Sequence, residues 1–178
     1  MLLYIILLSL SLFSIGYCEI GGHRKYRKIL FYLLFLYAVL LAGLRYRVGG
    51  DTIIYMDDYA DLPTLSELSI EDFFYQQTEP FYLLLCVLVR MISPEFYLFQ
   101  LIHALLVNFA VFRFFKKYSN YPFIGLFIYF LWFYFIFNYE FLRESLAVSV
   151  MLLAYGYYQN KRWKKYYACA TIALMFHM

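Results

Sequence analysis

An all-helical, polytopic membrane protein with about six spans and one re-entrant or interfacial segment is the fold class this sequence predicts, and three observations carry that prediction. The 178 residues are 65% hydrophobic and 15% charged, above the apolar share and below the charged share of a soluble domain, and mean hydropathy is +0.65. The apolar residues come in runs long enough to cross a bilayer or nearly so. The basic residues fall in short clusters between those runs, where they set orientation. A net charge of +3 is too small to suggest a nucleic-acid partner, and none is expected. The whole chain, 1–178, is expected to form a single helical membrane domain.

The first span is Leu2 to Cys18, at the short limit for a crossing helix. No basic residue precedes it and no small-residue cleavage site follows, so it is expected to be a retained anchor and not a removed signal peptide. Arg24, Lys25, Arg27 and Lys28 mark a cytoplasmic loop, and Ile29 to Leu44 returns outward. The loop from Asp51 to Glu79 is then external; it holds eight carboxylates and no Lys or Arg. Pro63 divides it, and Ser69-Ile-Glu-Asp72 resembles a capping box opening a short helix with Phe73, Phe74 and Tyr75, aromatics suited to the lipid surface.

Phe81 to Ile92 is apolar but only about a dozen residues long, too short to span, is interrupted by Arg90, and ends at Ser93-Pro94. Treating it as re-entrant or interfacial puts both Arg113-Lys116-Lys117 and Lys161-to-Lys165 in the cytoplasm, as the orientation rule asks. Phe96 to Phe112 then runs inward, Tyr121 to Asn138 outward, Arg143 to Gln159 inward and Tyr166 to His177 outward. With that order, Arg45, Arg47, Asp51, Glu79, His103, Glu140, Arg143, Glu144 and His177 all belong to the outer half. Ionisable residues at membrane depth are costly and usually face a cavity or a partner, so this gathering predicts a polar site opening outward. Arg90 has no evident place in it. Cys18, Cys86 and Cys169 lie in apolar runs without close pairing and are expected to be structural, with no disulfide and no metal.

The chain is organised around Arg45-Tyr-Arg-Val-Gly-Gly-Asp51-Thr-Ile-Ile-Tyr-Met-Asp-Asp-Tyr59. The glycines permit a tight turn, Asp51 with Thr52 can cap the helix that follows, and Asp51, Tyr55 and Asp58 fall on one side of it while Asp57 and Asp61 fall on another. A solvated loop with snorkelling arginines is the plainer interpretation. His103, on an apolar helix, is expected to be a hydrogen-bonded structural residue. The 21 Tyr and 20 Phe suit membrane interfaces and sugar sites equally.

Arg45-Tyr-Arg-Val-Gly-Gly-Asp51 with Tyr55 and Tyr59, Glu79-Pro80, Leu142-Arg143-Glu144-Ser-Leu-Ala147 and Phe176-His177 resemble, in order, the signatures of the EpsG family of exopolysaccharide polymerases, Wzy-like membrane proteins. The resemblance runs from about residue 29 onward. It departs where the family more often has Thr for Gly50 and Gln for Glu144. Family members are considerably longer, so the chain is expected to be an N-terminal part, incomplete at its C-terminus.

The resemblance implies a polymerase of the bacterial inner membrane that joins repeat units carried on undecaprenyl diphosphate at the outer face, in exopolysaccharide, capsule or O-antigen synthesis. Its partners would be the lipid-linked oligosaccharide, membrane lipid, and the chain-length regulator and flippase of the same pathway, with no cofactor. Independently, such chemistry requires a cation for the departing diphosphate and a base for the acceptor hydroxyl. Arg45, Arg47 and Arg143 suit the first role, with Tyr55 beside them for substrate; Asp51, Asp58, Glu79 and His177 suit the second. No phosphate loop, metal-binding His pair, nucleophile elbow or dinucleotide fingerprint occurs. The alternatives are a transporter or flippase of lipid-linked sugars, which would want ionisable residues through the full membrane depth, and a membrane acyltransferase, which would want a histidine set deep between helices.

Overall fold

In a computed structural model of the protein, residues 1–67 and 79–177 are described. Among them are eight α-helices, two π-helical segments and no strand. Helix α1 (Leu2–Ser14) continues without interruption as a π-helix (Ile15–Ile20), so the first apolar segment is longer than its predicted end at Cys18. Helix α2 is Arg27–Gly43, and α3 (Thr52–Ala60) is the short helix expected after the glycine pair.

Helix α4 (Pro80–Arg90) has proline in its first turn, where the missing N–H costs nothing. Its 11 residues measure about 16 Å at 1.5 Å each, well under a bilayer's hydrocarbon thickness. Helix α5 (Phe96–Tyr118) extends six residues past its predicted end. The run from Tyr121 to Asn138 is not one helix: α6 (Pro122–Trp132) breaks at Phe133 and the chain finishes in a π-helix, Ile136–Glu140. Helices α7 (Leu142–Gln159) and α8 (Trp163–Leu174) follow, so α8 starts earlier than predicted and stops before His177. The capping box at Ser69 to Asp72 and the aromatics Phe73, Phe74 and Tyr75 lie outside the described residues.

Side-chain contacts fix the direction of each helix. The Tyr37 hydroxyl donates to the Leu3 carbonyl (2.8 Å) and Tyr4 to that of Phe130 (2.7 Å), which lays α1 antiparallel to both α2 and α6. Gln100 near the start of α5 donates to the Gly43 and Arg45 carbonyls, while Lys116 near its end reaches the Tyr32 hydroxyl, so α5 runs opposite to α2. His103 beside Leu142, and Tyr118 stacked edge-on against Tyr155, set α7 parallel to α5. Helix α8 turns back along α7 until the Phe81 N–H donates to the Met175 carbonyl.

The molecule therefore has two ends of different chemistry. Arg45, the acidic helix α3, Glu79, Glu140, Arg143 and His177 share one. Glu19, Lys28, Lys116, Lys117 and Trp163 share the other. Among the described residues, two helical segments are long and apolar enough to cross a membrane on length and composition: Leu2–Ile20 (19 residues) and Phe96–Tyr118 (23 residues). Large side chains such as Leu3, Ile5, Phe13, Leu33, Leu36 and Phe109 are exposed on the outside of the bundle, the inverse of a soluble surface and the surface that lipid would cover.

The core divides in two. Leu7, Leu34, Ala38, Phe123, Leu126 and Phe130 join α1, α2 and α6 against α5. Tyr59, Tyr82, Cys86, Phe99, Leu142 and Leu146 join α3, α4 and α7 against the first half of α5, and this second cluster is the floor beneath the polar end. Cys18 and Cys86 are buried thiols within these clusters, and Cys169 is half-buried.

Candidate functional site

Three distant parts of the chain converge at the polar end. Glu79 is extended at the N-cap position of α4, where Pro80 forces the preceding residue out of helix. Arg143 is the second residue of α7, and its Nη1 donates to Glu79 Oε2 at 2.8 Å. His177, just past α8, donates through Nδ1 to the other carboxylate oxygen, Oε1, at 3.0 Å, an arrangement in which the neutral ring would carry its lone pair on Nε2. The Glu79 side chain is 11% exposed, against 32% for Arg143 and 44% for His177, so one nearly buried carboxylate holds two more open partners.

Burial alone would raise the Glu79 carboxyl. The backbone N–H of its own residue and the hydrogen bonds and charge of Arg143, with a further bond from His177, outweigh it and hold the group below the ordinary carboxylate range.

Beside this trio is a cavity of about 370 Å³, walled by α3 through Tyr55, Asp58 and Tyr59, by α4 through Tyr82 and Cys86, and by Arg143. Tyr55 donates to the Glu140 carbonyl at 3.2 Å. Burial lifts its phenol above the usual value, while the charge of Arg143 and a side-chain hydrogen bond from it pull the other way. The far end of the wall is pinned by Tyr59 donating to Ser93 O (3.1 Å) and by Arg90 Nη2 donating to Ala60 O (2.8 Å). Arg90, unplaced from sequence, thus ties the end of α4 to the end of α3.

The structure does not assemble a ring of three cations. Arg45 is 6% exposed and donates to the backbone carbonyls of Ala42, Val48 and Asn138, with its guanidinium 4.4 Å from the Tyr139 ring centre. Burial pulls it down to about 10, still charged near neutrality. It closes the end of α2 against the π-helix and stays off the cavity wall. Arg47 is exposed, at φ 50°, over its neighbour Tyr46.

Asp51 holds the N-cap position of α3 but its side chain makes no cap bond; Thr52 Oγ donates to Val48 O instead, at 2.8 Å. Asp51 is exposed and absent from the cavity lining, whereas Asp61, expected on another face than Asp58, lines the same cavity. The helix ends at Ala60, so Asp61 no longer follows the helical period. Tyr59, Tyr82 and Cys86 are lining residues that the site prediction missed. Tyr59 is one turn after Tyr55 and Tyr82 follows Glu79-Pro80 by two, so helical spacing was the available signal.

His103 is fully buried between α5 and α7, its Nε2 3.0 Å from both Leu142 O and Ser145 Oγ, and it does not reach the cavity. Among the described residues no three of His, Cys, Asp and Glu converge to hold a metal ion.

A helical membrane protein with an arginine–carboxylate–imidazole cluster on a cavity at one end is the class that fold and site define. Residues 28–178 match the EpsG family, and the chain belongs to that family of membrane proteins, which is associated with polysaccharide polymerases. Neither a curated protein nor a solved structure matches it.

Proposed function

We propose that the protein is part of a membrane glycan polymerase that joins lipid-diphosphate-linked repeat units at the outer face of the bacterial inner membrane. The observation that carries this reading is the Glu79 carboxylate shared by Arg143 and His177 beside a 370 Å³ cavity, in a chain of the EpsG family. Helices α1, α2, α5, α6 with its π-helix, α7 and α8 are the six crossings, and α3 and α4 sit at the outer end. The repeat unit comes from exopolysaccharide, capsule or O-antigen synthesis, and the pathway's flippase and chain-length regulator are the expected partners.

In the reaction, an acceptor sugar hydroxyl attacks the anomeric carbon, a new C–O bond forms, and the bond from that carbon to the diphosphate oxygen breaks. The diphosphate leaves with the electron pair and the hydroxyl proton goes to a base. Arg143 is the group suited to the departing diphosphate, since its planar fork binds phosphate oxygens two at a time. His177 suits the base role better than Glu79 does: a carboxylate already holding two donors is a weak proton acceptor, and one that fixes Nδ1–H of an imidazole turns Nε2 outward as the acceptor. Tyr55, Asp58 and Tyr82 supply a polar and aromatic wall on which a sugar can rest.

Apart from the enclosed His103, the described ionisable groups gather toward the two ends of the bundle, which weighs against a transporter that needs them through the full depth. An acyltransferase histidine must be open to substrate, and His103 is enclosed. The test is polymer formation by purified protein supplied with a lipid-linked repeat unit. Wild type is expected to extend the polymer, with His177→Ala and Arg143→Ala inactive; a folded Arg143→Ala variant that polymerises normally would overturn the role given to the cluster.

A further inference from the structure

At the end opposite the trio, a second cavity of about 250 Å³ opens between α5, α7 and the turn into α8. Arg113 and Lys117 of α5 and Arg162 of the turn line it, together with Tyr118, Tyr157 and Asn160. Arg113 and Lys117 are four residues apart on one helix face, a spacing at which like charges repel. The ion pairs found among the described residues are both made by Glu79 at the other end, so no described carboxylate neutralises these three cations. Their combined field favours an anion from outside the protein.

The cavity does not end in polar surface. Phe114 and Leu152 form its inner wall and also begin an apolar groove of about 590 Å³ that runs between α5, α7 and α8, past Val148, Met151 and Ala170, toward His177. A ligand that fills both must be anionic at one end and a hydrocarbon along the rest. The direction follows from charge: at the far end of the groove His177 already donates to the Glu79 carboxylate, whereas the near end has three cations and no described carboxylate paired with them.

We propose that this pocket and groove bind one anionic glycerophospholipid of the cytoplasmic leaflet, its phosphate on Arg113, Lys117 and Arg162 and an acyl chain along the groove. The leaflet rests on the orientation proposed above; the binding does not rest on polymerase activity. Basic pockets between membrane helices on that side hold anionic headgroups for the same electrostatic reason.

The full chain is purified in neutral detergent and stripped of lipid, and phosphatidylglycerol, phosphatidylcholine or inorganic phosphate is added back while thermal unfolding and native mass are followed. Phosphatidylglycerol is expected to raise Tm and leave a one-to-one adduct, with phosphatidylcholine and phosphate doing neither. The Arg113→Gln/Lys117→Gln variant should bind phosphatidylglycerol about tenfold more weakly or worse. Lys25→Gln, at the same end but outside the pocket, should leave binding unchanged. Ala170→Trp, which fills the groove, should weaken it as well.

Phosphatidylcholine acting as well as phosphatidylglycerol would overturn the headgroup assignment, and phosphate acting as well would make this a free-anion site. Undiminished binding by the Ala170→Trp variant would mean that something else, such as a second copy of the chain, covers the groove. Should the double variant fail to fold, the lipid comparison on the unaltered protein still decides.

Discussion

Arg143 and Lys at the same position differ in geometry and not in charge, so their comparison isolates what the guanidinium fork contributes. Losing one charge-assisted hydrogen bond of about 1.5 to 3 kcal/mol predicts a tenfold to hundredfold fall in turnover for Arg143→Lys, with Arg143→Ala lower still; polymer yield per unit of folded protein measures it. Glu79 yields a prediction in pH. Its carboxyl is held below the usual range in the folded protein, so its stabilising effect is complete above the ordinary glutamate value of about 4.3 and is lost as pH falls through the lower, folded value. The gap in Tm between wild type and Glu79→Gln should therefore persist from neutrality down to about pH 5 and close only below about pH 4. A gap that instead closed near neutrality would mean that burial outweighs Arg143 and His177 and holds the carboxyl above its usual range. Arg143, Glu79 and His177 were each legible in the sequence, because a charged residue beside an apolar run stands out on composition alone. That Glu79 would be the common partner was not, since the contacts cross 64 and 98 residues. Arg45 misled for a related reason: its partners are backbone carbonyls, including that of Asn138, and a carbonyl leaves no mark in a sequence.

At the scale of elements, the turn into α3 depends on one glycine of the pair. Gly49 has φ +124°, and a Cβ there would stand 2.5 Å from Thr52 Oγ and 2.7 Å from Tyr139 O, whereas Gly50 faces open space. Gly49→Ala should cost about 1 to 3 kcal/mol from strained backbone alone and detach the start of α3 from the π-helix; Gly50→Ala should be close to neutral. Thermal unfolding of the two variants measures the difference, and equal losses would mean that the turn as a whole, and not the Gly49 contact, sets the position of α3. Apolar runs located most helices to within a few residues because the bilayer demands length and apolarity and little else. The exceptions have non-local causes. The break at Phe133 and the two π-helical segments carry no local signature. The start of α6 is held by Glu19, whose carboxylate accepts from the Phe123 and Ile124 N–H groups at 2.7 and 3.1 Å; this cap comes from a residue about a hundred positions earlier, too far for any pattern of neighbouring residues to suggest.

For the whole molecule, the two ends make a single prediction about sidedness. Cysteines introduced at Asp61 and Glu140 should react with an impermeant thiol reagent from outside, and ones at Lys116 and Lys164 should not. Labelling at Lys116 from outside would invert the order of α5 and α6 and make α4 a full crossing. The general placement of charge was legible from the spacing of basic clusters; the pairing of helices was not, because lipid-facing and protein-facing apolar residues look alike in a sequence. The long reach of Glu79 also bears on how the protein is made. At about 5–20 residues per second of synthesis, residue 79 is joined roughly 5–20 s before residue 177. Arg143 follows Glu79 by only about 3–13 s of that interval, so Glu79 first waits without either partner and then, until the end, without His177. The mouth is therefore assembled last, and a nascent chain arrested short of Arg143 would leave Glu79 with neither of the partners that hold it in the finished protein.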